Sequence, residues 1–388
     1  MFKVVLWDYT GASETWAKKF LKDDVKIIRT LRPDDTDQAE VIMRGDWNFV
    51  LIFEKGQREL VDEIFNTMPE KNFSTDNVIF ATDFDSWVKH PAAVDALLKT
   101  EEREPIYRYR NFYNHRRWHY YHAASAEGLH YLATAADNFV IRTVYIGSKS
   151  HASDELKLFH DLSKRFYGVD DSGGGIFLEL GANIGTAGIY FCKKIASNFK
   201  WLAFEPDPEN FKLLRINTIL NYMEDRATLV NCGLGNKFDK LTMYRDLSNP
   251  GHNNFTEPKK NVPTEKIKVI PLDSYLAENK IAATEIKYIW IDTEGFEAQV
   301  LLGAKNFLTQ NAPPIFMEFN PMAWNKSGYF KKFVALLKSV GYTHFIWILE
   351  LAQSGQEKIY PIDKLFDWKN SDAPIGSLGD IFLIKNPM

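Results

Sequence analysis

The 388 residues hold only two cysteines, Cys192 and Cys232. Two thiols cannot form the disulfide framework of a small secreted domain, and their apolar neighbours mark both as small buried hydrophobes. No apolar run reaches the ~18 residues that would suggest a membrane span, and no signal-peptide pattern precedes the first strand-like segment. The cytosol is therefore the expected compartment. Charge of either sign is also scarce in net terms: 47 basic against 51 acidic side chains leave −4. Nucleic acid and anionic membranes are accordingly not expected partners. What remains is 45% hydrophobic and 25% charged, the make-up of a soluble globular protein. At about 150 residues per domain, the length predicts two domains.

One stretch organises the rest. Phe177-Leu178-Glu179-Leu180 is an apolar run rising to an acid, and Gly181-Ala182-Asn183-Ile184-Gly185 is a turn leading into a helical start. Gly181 and Gly185 permit backbone conformations closed to other residues and leave room for a ligand to approach. The amides at the following helix start favour an anionic or electron-rich group. A dinucleotide-binding turn reads G-x-G-x-x-G, with an acid about 20 residues on. Here Asn183 replaces the central glycine, and Glu205 closes a second strand, Lys200 to Phe204. An acid there can accept both hydroxyls of a ribose. The turn has no lysine, so nothing points to phosphate. A nucleoside without phosphates, S-adenosylmethionine, fits better than NAD.

The first hundred residues alternate strands (3–8, 25–29, 49–53, 78–81) with helices (14–21, about 35–43, 57–68), which predicts a small parallel α/β domain over 1–100. Ser13 is placed to cap the first helix. Asp8-Tyr9-Thr10-Gly11 lies at a strand's carboxyl end, where such sheets bind ligands; a docking or structural role is the alternative. Residues 101–172 read as a helical connector. Its start interleaves arginines with aromatics, and Arg116, Arg117 and Trp118 are candidate acceptor-binding residues. Within it, 123–136 reads as helix, 139–146 as strand and 153–166 as helix.

From 173 to 388 the pattern is strand, helix and strand again. Asn231-Cys232-Gly233 ends a third strand, where Asn231 can read an adenine edge. His252, in the loop 248–255, is a candidate general base near neutral pH. The strand 288–291 ends in Asp292-Thr293-Glu294, and the strand 314–317 ends in Glu318. Parallel topology puts Glu179, Glu205, Asp292 and Glu318 along one rim, where like charges need a cationic ligand, a metal or a shared proton.

These residues resemble the FkbM family of S-adenosylmethionine-dependent methyltransferases. The match lies in Phe177 to Gly185, Phe204-Glu205-Pro206, Leu272-Asp273-Ser274-Tyr275-Leu276, Ile291 to Glu297 with Leu302-Gly303-Ala304, and Pro314 to Glu318. It covers roughly residues 140–388. The resemblance implies a class I methyltransferase fold, a Rossmann-like seven-stranded sheet whose last strand is antiparallel, with 342–350 and 380–385 as the final hairpin. It also implies O-methylation of a hydroxyl on a sugar, a glycan or another small metabolite. Glu179, Gly181, Asn183, Gly185, Glu205, Asn231 and Asp292 would hold the cofactor. Asp292, Glu294, Glu318 or His252 would act as base, and the carboxylates suit Mg²⁺, Ca²⁺ or Mn²⁺ if a cation takes part. The alternatives are an NAD(P)-dependent oxidoreductase, for which Tyr190-x-x-x-Lys194 lies too early in the chain, and a non-catalytic cofactor-binding scaffold. Sequence does not disclose the acceptor or the oligomeric state.

Overall fold

The computed structural model describes residues 2–20, 25–53, 78–80, 120–134, 137, 139–246, 250–255, 262–370, 375–376 and 378–385. It divides into two compact units, residues 1–115 and 116–388. The expected helix 57–68 and the residues Arg116, Arg117 and Trp118 lie outside the described residues.

The first unit carries β1 (Phe2–Asp8), β2 (Val25–Leu31), β3 (Phe49–Phe53) and β4 (Val78–Phe80) in the order β2-β1-β3-β4, all parallel. Val4, Val5, Leu6 and Trp7 are fully buried, as a central parallel strand covered on both faces requires. The strand ends at Asp8, which is 1% exposed. Its carboxylate accepts hydrogen bonds from the Thr10, Gly11 and Ser13 amides (2.8, 2.8 and 3.0 Å) and from the Thr10 hydroxyl (2.9 Å). Arg32 adds a cation at 3.5 Å. Asp8 is thus occupied within the fold, and it is the acid, receiving the Ser13 amide, that holds the start of the helix Ser13–Phe20. Burial pushes the Asp8 pKa up, but the bonds from Ser13 and Thr10 outweigh it and hold the group below its ordinary value. Replacing Asp8 with Ala strands these donors and should cost about 2–4 kcal/mol of stability, read by denaturant unfolding.

The second unit carries a hairpin, β5 (Tyr120–Ala124) and β6 (His130–Thr134), where helix was expected over 123–136. The residues alternate with period two: Tyr131 and Ala133 point inward, and the turn closes at Gly128 with φ +75°. Two asparagines of the helix Pro208–Leu220 and its cap complete the outer strand. Asn221 accepts from the His130 amide (3.0 Å) and donates to its carbonyl (2.6 Å). Asn217 does the same for Leu132 (2.6 and 3.0 Å). The expected strand 139–146 is instead the helix Val140–Gly147. The Asp137 carboxylate takes the Phe139 and Val140 amides at 2.9 and 2.8 Å, and this cap overrides the β-branched residues that follow. The helix Ser153–Tyr167 agrees with expectation.

The main sheet is built from β7 (Ile176–Leu180), β8 (Lys200–Phe204), β9 (Ala227–Val230), β13 (Ile286–Ile291), β14 (Ile315–Phe319), β15 (His344–Trp347), β16 (Ile359–Pro361) and β17 (Gly379–Ile384). A smaller sheet joins β10 (Gly233–Leu234), β12 (Thr264–Ile270) and β11 (Asp239–Tyr244). The main order is β16-β15-β17-β14-β13-β7-β8-β9. β9, β8, β7, β13 and β14 are parallel, and β17 runs antiparallel to both β14 and β15. Counted from β7, seven of these strands form 3-2-1-4-5-7-6 with the seventh reversed, the class I methyltransferase arrangement. β16 adds an eighth strand at the edge. Phe159, on the helix Ser153–Tyr167, packs its ring against Tyr288, Trp290, Phe316 and Phe382 of the sheet at 5.6–6.1 Å.

Candidate active site

The parallel strands deliver their carboxyl ends to one edge, and a cavity of about 610 Å³ lies there. At its cofactor side the turn after β7 is bonded almost wholly within the protein. The Gly181 and Ala182 amides donate to the Phe204 carbonyl (3.0 and 2.9 Å), Gly185 to Ala182 (2.7 Å) and Asn183 to Glu205 Oε2 (2.7 Å). These turn amides are therefore engaged within the protein, and the ligand donors expected from the sequence, at the helix start after Gly185, are a separate set. The glycines are also needed for a different reason. Gly181 has φ +92°, and a Cβ there would sit 1.7 Å from the Asp292 carbonyl oxygen. At Gly185, φ is +90° and a Cβ would meet Leu214 at 2.6 Å. Both make room for neighbouring protein, in a left-handed backbone that side chains disfavour.

Glu179 is buried and accepts from the Trp201 indole (2.8 Å). It also lines the cavity, and Gly188 leaves room for it: a Cβ at Gly188 would strike the Trp201 ring and Glu179 Oε2 at 2.1 and 2.4 Å. Glu205, 5% exposed, ends β8 and lines the cavity. Besides Asn183, its carboxylate takes the Asp207 amide at 2.8 Å. Each oxygen keeps a lone pair for a further donor. Burial pushes its pKa up to about 8. Asn231 does not face the cavity as expected. Its side-chain amide donates to the Glu205 and Pro206 carbonyls (2.8 and 3.2 Å), bracing the acid's backbone, while Cys232 and Gly233 form the wall.

Beyond Asp207 the loop 250–255 is pinned against the cavity. Asp207 caps the helix Pro208–Leu220 and receives a two-pronged ion pair from Arg245 (2.7 and 3.1 Å) and the Asn253 amide (3.1 Å). Pro250, Gly251, Asn253 and Phe255 line the cavity. His252 falls in the short turn Pro250–His252, but its side chain lies outside the described residues.

The opposite side is acidic. Asp292 is exposed to the cavity, in surroundings crowded enough with protein to weaken its hydration. Glu318 and Asp380 stand directly opposite each other across the β14–β17 ladder. Like charges in that register repel. Burial first, then the neighbouring acids, pushes Asp292 and Glu318 well above the ordinary carboxylate range. Asp380 is pushed up to about 6, by burial and by Glu155. Glu297, fully buried, plays another part: it accepts from the Thr293 and Gly295 amides, the Thr293 hydroxyl and the Trp324 indole (2.9, 3.0, 3.0 and 3.0 Å). It shapes the loop that presents Asp292. Glu294 lines the cavity from a left-handed backbone, φ +51°. Oxygens of Asp292, Glu297 and Glu318 lie within 4.8 Å of one another, but Glu297 is already engaged by four donors. Trp290 and Phe316 stack beside them, centroids 4.5 Å apart.

Acids this shielded bind protons more tightly in the folded chain than in the unfolded one. For Glu205, between its ordinary 4.5 and about 8, stability is lost as pH rises. The thermal midpoint of the ligand-free protein should fall across that window.

Sequence reasoning missed Asp380, His151 and Glu155. Asp380 was within reach, since an antiparallel last strand beside the Glu318 strand must set some residue opposite that acid. His151 and Glu155 come from the cap before β7 and had no local signal.

Residues 179–343 match the family model of the methyltransferase FkbM domain. No curated protein matches the sequence. Among solved structures the chain is similar to methyltransferase FkbM from Methylobacillus flagellatus KT, with 14% identity, 86% of this chain and 84% of that chain covered, and a TM-score of 0.32. It is also similar to P. horikoshii TYW2 in complex with MeSAdo (13% identity, 69% and 72% covered, TM-score 0.30). A third is precorrin-6y C5,15-methyltransferase from Geobacter metallireducens GS-15 (10% identity, 59% and 88% covered, TM-score 0.31). With that match laid over the strand order and the turn just described, this chain is a methyltransferase whose residues 179–343 resemble the FkbM domain.

Proposed function

We propose that the methyl donor is S-adenosylmethionine and that the acceptor is a hydroxyl of a sugar, a glycan or another small metabolite. The observation that carries this reading is Glu205, a carboxylate at the tip of β8 that lines the cavity with lone pairs to spare. The residues present suit the donor. Asn183 Oδ1 and Glu318 Oε2 are buried acceptors with no hydrogen-bond partner among the described residues, and both residues line the cavity. Such acceptors suit a ligand bearing an ammonium and a positive sulfur. When bound, the sulfonium supplies an electrophilic methyl group and leaves as a neutral thioether.

The chain's own part is to hold and orient. Glu205 takes the ribose hydroxyls, Cys232 and Gly233 flank the base, and Asp292 and Glu318 face the positive charge. Positioning of the two reactants can supply about 7–11 kcal/mol of the acceleration. Among the described residues the lining has eight acids, one lysine and no arginine, which disfavours phosphorylated or carboxylated acceptors. Carboxylates beside the Trp290–Phe316 stack suit a polyhydroxylated ring. The first unit would recruit a partner or present the acceptor; a chain starting at Arg116 that keeps full activity and assembly overturns that role.

Calorimetry with S-adenosylmethionine and S-adenosylhomocysteine tests the donor, and methyl transfer to a panel of methyl glycosides tests the acceptor class. Absence of binding by either nucleoside overturns the reading. Turnover that persists with a chelator removes any role for a divalent cation.

A further inference from the structure

His151 sits in the cap loop between the helices Val140–Gly147 and Ser153–Tyr167 and lines the cavity. Its ring meets the edge of Phe139 at 6.2 Å and makes no hydrogen bond with the described residues. The loop is held rigidly. Ser148 and Ala152, flanking it, both take left-handed backbone at φ +53° and +58°, positions usually left to glycine. Such strain persists only where the surroundings enforce it.

Here the enforcing contacts are explicit. The Ser150 hydroxyl is held by the Tyr131 phenol (3.1 Å) and bonds to the Ser125 hydroxyl (3.2 Å). The Ser148 carbonyl accepts the Ala126 amide (2.7 Å). These partners belong to the β5–β6 hairpin, which Asn217 and Asn221 fasten to the helix Pro208–Leu220. Asn217 also donates to the Ile184 carbonyl in the turn after β7 (2.8 Å). One chain of bonds thus runs from the cofactor turn to the loop that carries His151.

We infer that His151 is the catalytic base that takes the proton from the acceptor hydroxyl. The inference rests on the methyl-transfer reading above and names the group that reading leaves open. The carboxyls of the rim, Asp292 and Glu318, are poorly suited: burial and mutual repulsion favour their protonated forms in the ligand-free protein, and with the donor bound they serve as counter-ions to its positive charge. In neither state does the pair offer a free base. A neutral imidazole accepts, and burial holds the His151 pKa below its ordinary value, with Glu155 opposing. The charged groups that share the cavity lining with it are Lys149, Asp154 and Glu155 on the cap and Glu179, Glu205, Asp292, Glu294, Glu318 and Asp380 on the sheet side. In the transfer, the acceptor oxygen–carbon bond forms as the carbon–sulfur bond breaks with its electron pair remaining on sulfur. The hydroxyl proton passes to the imidazole and then to water at the cavity mouth.

The test compares the full chain with its His151→Gln and His151→Asn variants. Both should bind S-adenosylhomocysteine with unchanged affinity and keep the thermal midpoint. With methyl glycosides as acceptors, kcat should fall about 10²–10⁴-fold. The acid limb of the wild-type kcat–pH profile should disappear in both variants. NMR of the His151 ring supplies a readout without turnover: its titration should move to lower pH with bound S-adenosylmethionine than with S-adenosylhomocysteine, since only the former carries a positive sulfur. Variants within threefold of wild type, or a ring titration indifferent to which nucleoside is bound, overturn the inference. Failure of the wild type to bind either nucleoside instead overturns the donor reading, a distinguishable result.

Discussion

Glu205→Gln should weaken S-adenosylhomocysteine binding by about 100- to 1000-fold. The carboxylate already satisfies two backbone amides, from Asn183 and Asp207, so the ligand's ribose would share an acid whose geometry the protein has fixed. Hydrogen bonds to a charged group contribute about 1.5–3 kcal/mol each, and two ribose hydroxyls are involved. Glutamine keeps one oxygen acceptor and turns a donor toward an amide or a hydroxyl. Calorimetry reads the affinity, and the thermal midpoint reads how much of the loss is structural. The wild-type titration carries a second signature. Because Glu205 is pushed up to about 8, binding near neutral pH must expel its proton. The observed heat should therefore vary with the ionisation enthalpy of the buffer, and Glu205→Gln should abolish that dependence. Affinity retained within threefold in this variant would remove Glu205 from the cofactor's grip.

Gly181→Ala should be the most damaging single-methyl change in the second unit. The new Cβ would fall 1.7 Å from the Asp292 carbonyl oxygen, and that oxygen is backbone at the end of β13. Relief requires the two central strands, β7 and β13, to part where the active-site rim begins. Left-handed strain adds about 1–2 kcal/mol, and overpacking about 1–3 kcal/mol. We expect about 3–5 kcal/mol lost in denaturant unfolding, with turnover abolished as Asp292 shifts. Gly168→Ala provides the comparison. Gly168 also has a positive φ, +60°, but nothing lies within 4 Å of its added carbon. It should cost only about 1–2 kcal/mol and leave turnover intact. Equal costs at the two positions would show that conformation alone, and not the strand contact, makes Gly181 necessary.

The central sheet was legible because its strands are short apolar runs, each closed by an acid or a turn. Glu179, Glu205, Asp292 and Glu318 could be assigned to one rim from parallel topology alone. What sequence could not supply was which atoms each side chain would meet. Gly181 and Gly185 were read as backbone freedom, which their φ of +92° and +90° bears out, and as room for a ligand, whereas a Cβ at either would meet Asp292 or Leu214. Asn231 was read as facing a base, but carbonyls at the end of the neighbouring strand claim its amide. The hairpin at 120–134 misled because local alanine content speaks for helix, while the decisive partners, Asn217 and Asn221, lie some 90 residues downstream. His151 has no motif around it; its importance rests on a loop bolted from elsewhere.

The amides of Asn217 and Asn221 stand in for a third strand beside the hairpin, so helix and hairpin each leave the other with unmet polar groups if separated. Anyone trimming the protein to its methyl-transferring half should therefore cut ahead of Tyr120. A cut in the glycine-rich stretch before β7 looks natural on paper, but it would strip the partner from those two side chains and leave their polar groups unmet.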